Sequence, residues 1–102
     1  MSRQRQKELF QAILSLRELE ECERFFTDLC TPSELEALAD RWRVARLIAR
    51  GMPYREIYEK TGVSTATVTR VARALTHGRS GYRTILERAR ERASVNDQTE
   101  EG

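Results

Sequence analysis

The stretch YREIYEKTGVSTATVTRVARALT, residues 54–76, constrains the fold more than any other part of this chain. It reads as a helix, a glycine corner and a second helix. Over residues 54–61, Ile57 turns inward with Tyr58 beside it, while Arg55 and Lys60 stay in solvent. Gly62 then supplies the positive φ that a tight corner between helices demands. Ser64 is placed to cap the second helix with its hydroxyl, and Val63 before it to staple onto Val68. At about 100° per residue, Val68, Val71, Ala72 and Leu75 share one face, and Ala66, Thr69, Arg70, Arg73 and His77 share the opposite one.

The outer face carries the chemistry. Small residues near the start of a helix let it sink into a DNA major groove. There threonine hydroxyls bond base edges, and the methyl groups of Ala66 or Thr69 meet thymine methyls. Arg70 and Arg73 suit guanine edges or phosphates. The expectation is a helix-turn-helix that reads double-stranded DNA. The alternative is two amphipathic helices in an ordinary helical core, with the arginines as a solvated face. Periodicity alone does not separate the two, but cap, staple, corner and basic face agree with one another.

Charge is distributed in keeping with a phosphate-binding segment. The net charge of +2 conceals residues 40–92, which hold 13 basic and 5 acidic side chains for a net of +8, against −3 for residues 1–39 and −3 for residues 93–102. A positive excess confined to the segment with the helix-turn-helix is the footprint of nucleic-acid binding; evenly scattered charge would serve only solubility.

The remaining sequence bounds the architecture. At 102 residues, 39% hydrophobic and 33% charged, the chain fits one globular domain with a small core that a partner chain would help. No apolar run approaches the roughly 20 residues that span a bilayer, and MSRQRQKE lacks the apolar region of a secretory signal. A cytoplasmic protein without membrane association is expected. Cys22 shares a helical stripe with Phe25, Phe26 and Leu29, so burial is the expected role of Cys22 and Cys30, and a disulfide is not. With His77 as the one histidine, no metal or other cofactor is expected. No nucleophile and base stand in a recognisable arrangement and no glycine loop cradles phosphate, so no enzyme is expected either.

Residues 7–16 place Leu9, Phe10, Ile13 and Leu14 together with Leu16 nearby, and residues 19–29 add Leu19, Cys22, Phe25, Phe26 and Leu29, with Glu20, Glu21 and Glu23 near the helix start. This is more apolar surface than a helix-turn-helix covers. Interleaving with the same helices of a second chain, as a homodimer, is the expectation, and an intrachain bundle the alternative. Thr31-Pro32-Ser33-Glu34 is a capping box with proline at the first helical position. The long helix after it carries Leu35, Leu38, Ala39, Trp42, Ala45 and Ala49 as its inward stripe, with Ile48 alongside and Arg41, Arg43, Arg46 and Arg50 on other faces. Gly51 and Pro53 end it. A last helix over residues 82–92 turns Ile85, Leu86 and Ala89 inward, and the polar tail is expected to fray. The resulting organisation is a dimerisation segment (1–30), a helix-turn-helix core (31–92) and a tail (93–102) in one domain.

Two segments, CTPSELEALADRWRVARLIARG and YREIYEKTGVSTATVTR, resemble the tryptophan repressor superfamily, most nearly its YerC/YecD branch. Through ILSLRELEECERFFTDLCT the likeness to that branch covers about residues 9–92. The resemblance implies an all-α, six-helix fold, an intertwined homodimer, and two helix-turn-helix heads in successive major grooves of a near-palindromic operator. The function it implies is transcriptional regulation, with repression the expectation and activation left open. The family pattern implies Arg55 as a base or phosphate contact and Thr65, Ala66 and Thr69 as groove-facing residues; with Ser64, Thr67, Arg70 and Arg73 they form the expected DNA-binding set. The dimer core would hold Leu9, Phe10, Ile13, Leu14, Phe25, Phe26, Leu29, Leu35, Leu38 and Trp42.

In the tryptophan repressor the corepressor indole lies between two arginines, which match Arg41 and Arg70, with Thr31 near the ligand ammonium. Val71 stands where that family has the glycine that gives the indole room, and Ala74 where it has the serine that binds the amino group. Tight tryptophan binding is therefore not expected, and any other effector is left open. The run Gly51-Met52-Pro53-Tyr54 is one residue shorter than in the tryptophan repressor, and the proline would fix the head without ligand. Two further readings stay open: a helix-turn-helix that docks a partner protein without sequence-specific DNA binding, and structured-RNA binding, for which the outer face lacks exposed aromatics.

Overall fold

A computed structural model of the protein describes the backbone over residues 2–101 and side-chain surroundings over residues 3–93. Six helices and no strand make up the described residues: α1 (Ser2–Leu14), α2 (Leu19–Leu29), α3 (Pro32–Ala49), α4 (Tyr54–Thr61), α5 (Thr65–His77) and α6 (Gly81–Glu101). The all-α expectation holds. The helices divide into two compact units, Met1–Ala37 and Leu38–Gly102.

In the first unit α1 starts five residues earlier than its apolar stripe requires, at Ser2 against the expected 7. It ends at Leu14, short of the expected 16. The cause of the early stop is local. The Ser15 hydroxyl donates to the Ala12 carbonyl at 2.6 Å, and the Leu16 N–H donates to Ile13 O at 3.1 Å, a tightened turn that ends the α-helical ladder. Helix α2 has the expected bounds, and the Glu21 carboxylate reaches back to accept the Arg17 N–H at 2.8 Å just before the helix. None of the described residues of this unit is buried. Phe10 (62%), Leu14 (84%), Leu19 (75%) and Leu29 (50%) are exposed, and Leu9, Ile13, Phe25, Phe26 and Leu35 are half-buried.

The start of α3 is the expected capping box. The Thr31 N–H donates to the Glu34 carboxylate at 2.8 Å, and the Glu34 N–H donates to the Thr31 hydroxyl at 3.1 Å.

The second unit buries Val44, Ala45 and Leu47 of α3 against Ile57 of α4 and Val68 and Val71 of α5. This corrects the expected inward stripe of α3. Of that stripe only Ala45 is buried; Leu38, Ala39 and Ala49 are exposed and Trp42 and Ile48 half-buried. Helix α3 has apolar residues on two sides. The chain packs the side bearing Val44 and Leu47, and leaves Leu38 at 42% exposure. The Trp42 ring stacks on Tyr82 of α6, with centroids 6.5 Å apart and planes 17° from parallel.

Helix α6 runs to Glu101 where the apolar pattern ends at 92, so the polar tail continues as helix. The expected fraying bears on residues 94–102, whose side chains lie outside the described range.

Candidate nucleic-acid interface

Each piece of the helix-turn-helix has a local cause. Ile57 at 0% exposure anchors α4, and Gly62 closes it at φ 71, donating its N–H to Tyr58 O at 3.0 Å. The Thr61 hydroxyl donates to Ile57 O at 2.7 Å and accepts the Val63 N–H at 3.1 Å, tying the corner to both flanks. Ser64 caps α5, its hydroxyl accepting the Thr67 N–H at 3.2 Å. Val63 packs against the core as the staple requires. Val68 and Val71 are buried and Ala72 and Leu75 half-buried, so the rotation of α5 is the one its periodicity implies.

Five of the eight expected DNA-binding residues come together. Thr65, Ala66, Thr69, Arg70 and Arg73, all exposed, line one open depression along α5. A guanidinium pair at one end and small side chains at the other give a surface that can approach a polyanion closely. Ser64 and Thr67 have another employment: their hydroxyls lie 3.0 Å apart and complete the cap. Arg55 is on α4, 92% exposed, with its Nε 3.7 Å from the Glu59 carboxylate; such a pair is worth little in water and leaves Arg55 available to a phosphate.

Within the second unit the expected effector residues do not share one such surface. Val71, at 1% exposure, is part of the core, and Ala74 lines a separate apolar groove with Trp42, Tyr82 and Ile85. Arg41 is half-buried and Arg70 faces solvent in the depression described above. Thr31 lies in the first unit with its hydroxyl bonded to Glu34.

Sequence reading missed two features after α5. Gly78 has φ −84, an ordinary value, but a Cβ there would collide with the Ala74 carbonyl oxygen, so the need is for close approach. Ser80 takes φ 69, a left-handed conformation that serine adopts at a cost. Among the described residues no helix is long and apolar enough to cross a membrane, and no group of His, Cys, Asp and Glu is placed to hold a metal ion.

With this geometry in view, the relatives of the chain carry weight. The family model described as "Trp repressor protein" matches residues 4–90. The chain is 50% identical over 84 residues to the uncharacterized protein YerC of Bacillus subtilis (strain 168), covering 82% of this chain and 81% of YerC. The crystal structure of a TrpR like protein from Eubacterium eligens ATCC 27750 superposes with a TM-score of 0.79 at 46% identity, covering 84% of this chain and 89% of that one. A protein of known structure from Staphylococcus aureus gives the same TM-score, 0.79, and identity, 46%, over 82% of this chain and 84% of its own. Matched over most of its length by sequence and by fold, the chain belongs to the Trp repressor family of helix-turn-helix regulators, in the branch that includes YerC.

Proposed function

We propose that the protein is a sequence-specific DNA-binding transcriptional regulator, a repressor, which acts as a homodimer on a near-palindromic operator. The observation that carries this reading is the depression of Thr65, Ala66, Thr69, Arg70 and Arg73 on the solvent side of α5, whose opposite side is locked by Val68 and Val71. Thr65, Ala66 and Thr69 read base edges, and Arg70 and Arg73 bind guanine or phosphate. Arg55 adds a phosphate contact from α4. Helix positions held by a buried core place these groups without reorganisation on binding, which favours discrimination between sequences.

Dimerisation is supported by the apolar surface of Phe10, Leu14, Leu19 and Leu29, which the first unit leaves in water on the single chain. A second copy covering it brings two heads into register with half-sites about 34 Å apart, one turn of DNA. Tryptophan is not the corepressor on this reading. On the family resemblance Val71, which is buried, stands where an indole would need room, and Ala74 offers its ammonium no hydroxyl.

The test is selection of fragmented genomic DNA on the purified protein, with and without tryptophan, followed by sequencing. A short two-fold site recovered equally in both conditions is the expected result. Absence of any enriched sequence, with the dimer intact, would replace this reading with a module that docks a partner protein.

A further inference from the structure

A second concavity, of about 870 Å³, lies away from the reading face, where the ends of α3 and α5 meet α6. Four arginines line it, Arg46, Arg50, Arg83 and Arg90, against one carboxylate, Glu87. The rest of its wall is leucine and alanine, with Leu75 and Leu86 the largest side chains. Among the described residues the ion pairs are Arg24 with Glu20 and Arg55 with Glu59, so none of the four guanidiniums has a carboxylate partner. Arg83 is held in place: its Nε donates to the Leu75 carbonyl at 2.9 Å, an oxygen in the last turn of α5. Its two terminal nitrogens have no partner among the described residues.

Like charges around one concavity repel each other, and an anion bound there is attracted by all of them. The planar fork of arginine matches carboxylate and phosphate oxygens two at a time. The volume is in the range of organic ligands and far exceeds a bare inorganic anion. Its leucine and alanine wall favours a ligand with an apolar body over a purely polar one. We propose that this groove binds a small organic anion that has an apolar body and at least two negative charges. It is distinct from the surroundings of Arg41 and Val71, where the family resemblance would put an indole. Leu75 belongs both to the groove and to the layer packed on the core beneath α5, so an occupant touches the helix that carries the reading face. The binding site stands on the groove itself and does not depend on the operator reading.

The experiment is calorimetric titration of the full-length protein with 1-naphthyl phosphate, naphthalene-1,4-dicarboxylate and inorganic phosphate. The aromatic dianions are expected to bind at least about tenfold more tightly than inorganic phosphate, and the better of the two identifies the head group. Combining Arg46→Ala with Arg83→Ala is expected to weaken that binding by about tenfold or more, as loss of charge-assisted hydrogen bonds does. Arg43→Ala, an exposed arginine of α3 outside the groove, is expected to leave it unchanged. Should the first variant fail to fold by circular dichroism, Arg50→Ala with Arg90→Ala takes its place. No binding to the native protein, or an equal loss in Arg43→Ala, overturns the proposal. Dissociation of the groove variant into monomers in sedimentation assigns the groove to a second copy instead. Unchanged naphthyl phosphate binding with weakened binding to random duplex DNA assigns it to the DNA backbone.

Discussion

Thr31 and Glu34 cap α3 by exchange: each donates its backbone N–H to the other's side chain, at 2.8 Å to the carboxylate and 3.1 Å to the hydroxyl. The backbone N–H of Thr31, and after it the Thr31 hydroxyl, stabilises the ionised carboxyl and holds Glu34 below the ordinary 4.5. A carboxyl whose folded value is depressed contributes stability that is present above the unfolded value and lost as pH falls through the folded one. Glu34→Ala is therefore expected to be less stable than the native protein at pH 7, with the gap closing as pH drops below 4.5. Urea titrations of both proteins at one fixed concentration check this. A gap that stays constant down to pH 3 would show that the carboxylate charge plays no part.

Two glycines that look alike in the sequence are expected to respond differently to alanine. At Gly62 a Cβ meets open space, and the cost is that of the left-handed φ of 71, about 1 kcal/mol. At Gly78 the φ is ordinary but the Cβ strikes the Ala74 carbonyl, part of a helix backbone that does not yield readily, for about 2 kcal/mol or more. Chemical unfolding of the two variants should rank them in that order. The reverse order would mean that the turn after α5 relaxes freely.

Arg70→Ala with Arg73→Ala is expected to remove most duplex DNA binding while leaving the helical spectrum and the oligomeric state as they are. Neither side chain takes part in a hydrogen bond or ion pair among the described residues, and both are exposed. If both contact phosphate, the slope of log affinity against log salt should fall by about one for each. A loss of DNA binding with no change of slope would place them on base edges instead.

Val71→Gly with Ala74→Ser should open room for an indole and supply a hydroxyl. The cost is high, because Val71 is buried at 1% exposure in mid-helix: about 3 kcal/mol from lost apolar burial and a helical glycine together. Tryptophan is expected to raise the melting temperature of this variant and leave that of the native protein unmoved. A tryptophan shift in the native protein would show that the valine does not close the site.

The parts of this fold that the sequence discloses are those governed by near neighbours. The bounds of α2, α4 and α5, the cap at Thr31 and the turn at Gly62 all follow from residues within one turn of each other. The side of α3 that goes inward did not follow, because Val44 and Leu47 compete with Leu38 and Trp42 on a helix that is apolar twice over, and only its neighbours decide. Gly78 was invisible for a related reason: its constraint is the Ala74 carbonyl, not its own dihedral. The arginine groove takes side chains from α3 and α6, which no single periodic pattern contains. On the outer side of α5 the five clustered residues were all legible, whereas Ser64 and Thr67 turned out to hold each other.

The core of the second unit comes from α3, α4 and α5, and Val68 and Val71 in it belong to the helix that bears the threonine and arginine depression. Yet Thr65, Ala66, Thr69, Arg70 and Arg73 give that core nothing: they are exposed, and among the described residues their side chains enter no hydrogen bond or ion pair. The core and the exposed set thus occupy different positions of one helix. On the proposed function, relatives can drift to new operators by changing five positions without renegotiating their stability, and a target sequence can be transplanted between them by moving only those five.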